Sequence, residues 1–348
     1  MATKPKRRAA RRRHQPWWVD LDTAELLEVR LCDLHLRLEG TALMARVERL
    51  RNELRRAGLR FRPHVWLSTS WFSPDGVPGF AMPFFLAHPR LARLERRRML
   101  EIEGGSLDWC MKLMRHEAGH ALDNAYRLHR RKSWRECFGP YSQSYASTYR
   151  PRPTSRRFVV NLDHWYAQSH PAEDWAECFA VWLQPGSLWR RHYAGWPALR
   201  KLEYVDSLMG DIKAQAPQVR NRSCPDSLAQ IKMRLGDYYE RKQKAFGLEY
   251  PGPHDDHLLR LFVASGGRKV TAAAFLRRHR LRVIIMVAQI TGQHRYVVDQ
   301  VLRQVIASCV KLGLRLGRSD RESLIGAAIL LTTLTMTFVR SRTQEFLR

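Results

Sequence analysis

Apolar residues recur at helical spacing in two early stretches, Ala24 to Leu38 and Ala42 to Ala57, whose Leu and Val positions would face a core. Glu39-Gly40-Thr41 joins them, and Gly58 stands where the residue closing a helix belongs. The pattern then shortens. His64-Val65-Trp66-Leu67 and Phe80-Ala81-Met82-Pro83-Phe84-Phe85 read as strands separated by the turn signals Pro74-Asp75-Gly76 and Pro78-Gly79. Pro83 suits an edge strand, because it has no N–H to give a neighbour. Helical spacing returns over Pro89 to Met99. After the loop Glu103-Gly104-Gly105 it returns again over Trp109 to Tyr126, which Ser106 can cap and Asp108 can favour electrostatically.

Arg127 to Gln168 is rich in Arg, Ser, Tyr and Pro and predicts loops with short strands such as Phe158-Val159-Val160. The stretch Ser169 to Ala180 places Pro171 at a first helical position and acids in the first turn, so it reads as a second well-defined helix. Amphipathic helices follow from Leu188 to Tyr250. The final part predicts helices over Ala272 to Arg278, Leu281 to Ile290, Arg295 to Val310 and Leu324 to Val339. The last contains sixteen residues and four threonines. It falls short of the roughly twenty needed to cross a bilayer, so a buried helix is expected rather than a membrane span.

These elements predict an α+β protein with a small mixed sheet. Its expected organisation is a disordered basic tail (residues 1–14), a main domain (15–250), a linker (251–257) and a helical C-terminal extension (258–348). The linker's His254, Asp255, Asp256 and His257 lie on no rigid element and are read as solvated.

The formal net charge is +27, which would attract polyanions to the surface. Arg outnumbers Lys throughout and no nucleic-acid recognition motif accompanies it, so nucleic acid is not expected as the functional partner. No apolar segment follows the basic start as a secretory signal would. The six cysteines are scattered, with no CxxC pair. A reduced, cytoplasmic protein is the expectation.

Chemistry concentrates in His116-Glu117-Ala118-Gly119-His120. Residues four apart on a helix share a face about 6 Å apart along the axis, so both imidazoles can reach one cation, for which zinc is the first candidate. Glu117 projects to one side, where a carboxylate can take a proton from water at an open coordination position. A site of this kind needs a third protein ligand. The extended HExxHxxGxxH pattern is excluded, because Asp123 and Tyr126 occupy its Gly and His positions. Glu173 and Glu177 are again four apart; one carboxylate can bind the metal while the other accepts the free ring N–H of a ligand histidine.

The two segments HEAGHALDNAY (His116 to Tyr126) and HPAEDWAECFA (His170 to Ala180) together resemble the gluzincin metallopeptidases, in particular bacterial zinc-binding metallopeptidases and lethal-factor-like enzymes. The resemblance is strong over the central third of the chain and implies a zincin-like fold. By position it implies His116, His120 and Glu173 as metal ligands, Glu117 as general base and Glu177 as the carboxylate supporting a ligand. It also matches Asp123 to an acid that supports the site and Tyr166 to a tyrosine that stabilises the oxyanion. In zincin folds an edge strand beside the metal receives substrate; Gly79 to Phe85 is the expected counterpart.

The expected function is therefore zinc-dependent hydrolysis of a peptide or related amide bond in a peptide or protein substrate. The alternative from another class is a non-catalytic, zinc-stabilised scaffold whose basic surface binds an acidic or nucleic-acid partner. Glu117 argues against it, since a structural site needs no base.

Overall fold

Helix starts follow their caps. In the computed structural model, which describes residues 15–146, 149, 151–246, 255–266 and 268–341, Asp22 and Glu25 form a reciprocal capping box that opens helix α1 (Thr23–Glu28). The basic tail and residues 251–254 of the expected linker lie outside the described residues. Helix α1 stops ten residues short of the expected Leu38. Residues 29–32 instead pair with a distant segment: Leu31 N–H donates to the Met233 carbonyl, Cys32 N–H to Ile231 and Leu235 N–H to Val29, at 2.9, 3.0 and 2.9 Å. Helix α2 (Ala42–Arg56) starts at Thr41, whose hydroxyl accepts from Met44 N–H, and Gly58 beyond its end has φ +80°.

Strands β1 (His64–Ser68) and β2 (Gly79–Pro83) form a two-stranded parallel sheet, with His64 opposite Gly79 and Ser68 opposite Pro83. This differs from the expected mixed sheet; the antiparallel component is an isolated bridge between Phe72 and Ala81. The expected edge-strand role for Gly79 to Phe85 is likewise corrected. All five residues of β2 are buried, β1 lies along it, Ala81 N–H donates to Phe72 at 2.8 Å, and Phe84–Ala87 leaves the strand as a 3-10 turn. A strand flanked in this way has no free row of backbone groups for a substrate.

The remaining elements are α3 (Pro89–Met99), α4 (Leu107–Tyr126), α5 (Lys132–Phe138), α6 (Pro171–Leu183), α7 (Trp189–His192), α8 (Ala198–Ile212) and α9 (Leu235–Phe246). Then come α10 (Asp255–Leu261), α11 (Ala272–Arg278), α12 (Arg280–Thr291), α13 (Arg295–Lys311) and α14 (Asp320–Ser341). Phe158, Val159 and Val160, expected as a strand, are irregular, with Val159 buried as an anchor. Asp255 to His257, expected in the linker, begin α10.

The chain divides into two compact units. One runs to Glu95 and includes Ile102–Tyr145 and Pro151–Arg241; the other takes Arg96–Glu101, Ala146–Arg150 and the chain from Lys242 onward. In the first unit, α4 is buried along most of its length and packs against α6 and α2, where Arg115 makes a buried two-pronged ion pair with Glu53 at 2.8 and 3.0 Å. In the second, Leu258, Phe262, Phe275, Val298, Leu302 and Leu331 belong to one apolar cluster. Buried Asp299 is held there by Arg280 and Arg303. Helix α14 contributes Leu324, Ala327, Leu331 and Leu334 to this core, and no described helix is long and apolar enough to cross a membrane.

Candidate metal centre

Two helices build the centre, and each is fixed by its own sequence. Ser106 caps α4, its hydroxyl accepting from Trp109 N–H at 3.2 Å, and Cys110, Met114, Ala118, Ala121 and Ala125 bury the apolar face. His170 caps α6 by accepting from Ala172 N–H at 3.1 Å, with Pro171 at the first helical position. The helices cross at Gly119, whose carbonyl accepts from the Trp175 indole at 2.9 Å.

At this crossing His116 Nε2, His120 Nε2 and Glu173 Oε2 form a nearly equilateral triangle. His116 to His120 is 3.2 Å, His116 to Glu173 3.0 Å and His120 to Glu173 3.1 Å. Donor atoms bound to one tetrahedral zinc at about 2.1 Å stand about 3.4 Å apart, so the three fit one such ion with little adjustment. Two imidazoles and a carboxylate are also a donor set suited to zinc. Among the described residues this is the one group of three or more His, Cys, Asp or Glu side chains close enough to hold a metal.

Electrostatics agree with the geometry. Burial disfavours a charged His116, but hydrogen bonds to Glu173 and Glu177 outweigh it and raise its pKa well above the ordinary imidazole value. His120 is raised in the same way, chiefly by Glu173 acting against burial. Glu173 is held well below the usual carboxylate range, because the two rings overcome the burial that would raise it. The pocket thus concentrates negative potential on one point, as a group that could hold a cation requires. Glu117 behaves differently: burial raises its pKa, and the neighbouring histidines only partly oppose the rise.

Residues 110–188, which contain α6 and all of α4 after its first three residues, match the family described as "Putative zinc-binding metallo-peptidase". No curated protein and no solved structure matches the chain.

Glu177 is fully buried and accepts three hydrogen bonds, from His116 Nδ1–H at 2.8 Å, Asn161 Nδ2–H at 2.9 Å and Leu162 N–H at 2.8 Å. Because the carboxylate only accepts, it fixes the proton on His116 Nδ1 and leaves Nε2 free to bind a cation. Asp123 pairs locally and does not touch the three converging donors. Both its oxygens go to His129, one to the backbone N–H at 2.7 Å and one to Nδ1 at 2.8 Å, because the chain turns back at the left-handed Arg127 just beyond α4. The Tyr166 ring lies 5.6 Å from that of His116, tilted by 45°. His164 and Trp165 precede it with φ of 62° and 53°. Two consecutive left-handed residues other than glycine cost about 1 kcal/mol or more each, a strain sustained here by the anchor from Leu162 to Glu177.

Two residues at the centre escape sequence reasoning. Asn161 supports Glu177, and Tyr145 donates its hydroxyl to Glu173 Oε1 at 2.8 Å. Both lie in the irregular stretch between the helices, where no periodicity or ligand spacing marks them.

Proposed function

We propose that this chain is a zinc-dependent metallopeptidase of the gluzincin kind, with a zincin-like catalytic domain, hydrolysing peptide or related amide bonds in the cytoplasm. The observation that carries the reading is the convergence of His116 Nε2, His120 Nε2 and Glu173 Oε2 within 3.2 Å of one another. The match of residues 110–188 to a zinc-binding peptidase family supports it. A structural zinc site closes its coordination with a fourth protein ligand; the group found among the described residues numbers three, with the Glu117 carboxylate buried on the same helix.

In this reading His116, His120 and Glu173 hold the ion, and Glu177 keeps His116 in the tautomer that binds it. Bound zinc supplies Lewis acidity, lowering the pKa of the attacking water and polarising the scissile carbonyl. Glu117 takes a proton from that water on its carboxylate and delivers it to the departing nitrogen. Tyr166, beside His116, is assigned to donate its hydroxyl to the oxyanion that forms when water attacks.

The test is metal content and cleavage of a peptide library by the wild-type protein and by Glu117→Gln. Glu117→Gln should retain zinc and lose cleavage by roughly 10²- to 10⁴-fold, the usual contribution of a general base. Unchanged cleavage by a zinc-loaded Glu117→Gln protein overturns the mechanism.

A further inference from the structure

Residues 139–145 run between the two helices that carry the centre, and two tyrosines in this segment make the same three-part contact. Tyr141 stacks on His129, ring centroids 4.2 Å apart and planes 23° apart, and donates its hydroxyl to Asp75 Oδ1 at 2.6 Å. Tyr145 stacks on His170, 3.8 Å and 11°, and donates its hydroxyl to Glu173 Oε1 at 2.8 Å. Each histidine is itself immobilised. Asp123 grips His129 just past the end of α4. His170 donates from Nε2 to the Gln143 carbonyl at 2.7 Å while its Nδ1 caps α6. The segment is thus fastened to the end of one helix and the beginning of the other.

The two ends have different consequences. Asp75 is not among the converging donors, whereas Glu173 is one of them. Glu173 directs Oε2 at both imidazoles and Oε1 at Tyr145. The terminal torsion of a glutamate is soft and nearly two-fold, so an untethered carboxylate can exchange its oxygens or turn both toward a cation. A tyrosine hydroxyl on a ring clamped face to face cannot follow that rotation, and its single proton marks one oxygen.

We propose that Tyr145 is a positioning residue for the metal centre: it pins Glu173 Oε1 so that Oε2 alone is offered to the cation. The remaining coordination positions are thereby kept for solvent and substrate. Tyr145 raises metal affinity by sparing Glu173 the loss of rotational freedom on binding. The inference rests on the zinc reading.

The test uses the full chain stripped of metal, with zinc affinity measured by competition against a chromophoric chelator for wild type, Tyr145→Phe and Tyr141→Phe. The Tyr145 residue is 41% exposed and phenylalanine keeps its stack on His170, so folding is not at issue. Tyr145→Phe should weaken zinc binding about tenfold or more, as loss of a support to a ligand does, while Tyr141→Phe stays within about twofold of wild type. The two variants should lower the melting temperature of the metal-free protein by comparable amounts. Zinc affinity of Tyr145→Phe equal to wild type overturns the inference and leaves the zinc reading standing. Equal weakening in both variants overturns it in favour of a general loosening of the segment. A wild-type chain that takes up no zinc ends both.

Discussion

Gly119 and Ala176 touch where the two site-bearing helices cross: a Cβ added to Gly119 would lie 3.0 Å from the Ala176 Cα and 3.2 Å from the Phe179 ring. The spacing of His116 and His120 from Glu173 therefore depends on a residue between the histidines having no side chain. Alanine at a helix interior gains up to about 1 kcal/mol in propensity, but overpacking against a backbone atom costs about 1–3 kcal/mol. The second effect wins because Ala176 Cα cannot rotate away. Gly119→Ala should destabilise the metal-free protein by up to about 2 kcal/mol and Gly119→Val by more, as measured by urea denaturation, each with weakened zinc uptake.

The same crossing explains what could be read in the chain. Helices α4 and α6 announce themselves locally, through Ser106, through His170-Pro171 and through apolar spacing, so their three converging donors were legible. The C-terminal helices begin within a few residues of the expected positions for the same reason. What sequence did not reveal is decided at a distance. Helix α1 ends early because residues 29–32 pair with residues some two hundred positions away. Strand β2 has a proline suited to an edge, yet Phe72 returns along its outer side. Tyr145 and Asn161 reach the centre from irregular chain, where spacing carries no information about direction.

Removing ligands should separate binding from chemistry. His120→Ala and Glu173→Gln each take one of the three donors and should reduce bound zinc to background, whereas Glu117→Gln should not. Metal that binds only the folded chain adds about 2.7 kcal/mol at a hundredfold excess over its dissociation constant. Chelation should therefore lower the melting temperature of wild type and of Glu117→Gln, and leave the two ligand variants unmoved. A calorimetric scan with and without chelator measures this.

Asp174 gives the metal-free fold a defined pH dependence. Burial raises its pKa to about 6, with Lys201, whose ammonium pairs with it, partly opposing the rise. The folded chain then binds the proton more tightly than the unfolded chain. This contribution to stability is fully present below the unfolded value near pH 4 and is lost as pH rises through about 6. Two pKa units correspond to about 3 kcal/mol. Asp174→Asn should flatten the melting temperature between about pH 4 and pH 6 and raise it relative to wild type above about pH 6, because the neutral amide stands in for the protonated acid that burial favours. An unchanged slope would place the titration elsewhere.

Glu177→Gln tests how the support for His116 works. The substitution keeps shape but replaces one acceptor oxygen with a donor. Glu177 Oε1 accepts from both His116 Nδ1–H and Asn161 Nδ2–H, and Oε2 accepts from Leu162 N–H. Turning the amide nitrogen toward the first pair sets it against two donors. Turning it toward Leu162 sets it against one, so the second orientation is favoured and the backbone at residue 162 is released. An unsatisfied buried N–H costs about 1–3 kcal/mol, and that segment leads into the strained turn carrying Tyr166. His116 keeps its Nδ1 partner but loses the full negative charge that made its other nitrogen a strong donor to metal. Zinc affinity should fall about tenfold or more, with Asn161→Leu giving a smaller loss because Glu177 then retains two of its three donors. Equal zinc affinity in Glu177→Gln and wild type, measured by chelator competition, would show that the buried charge at residue 177 does not tune the ligand.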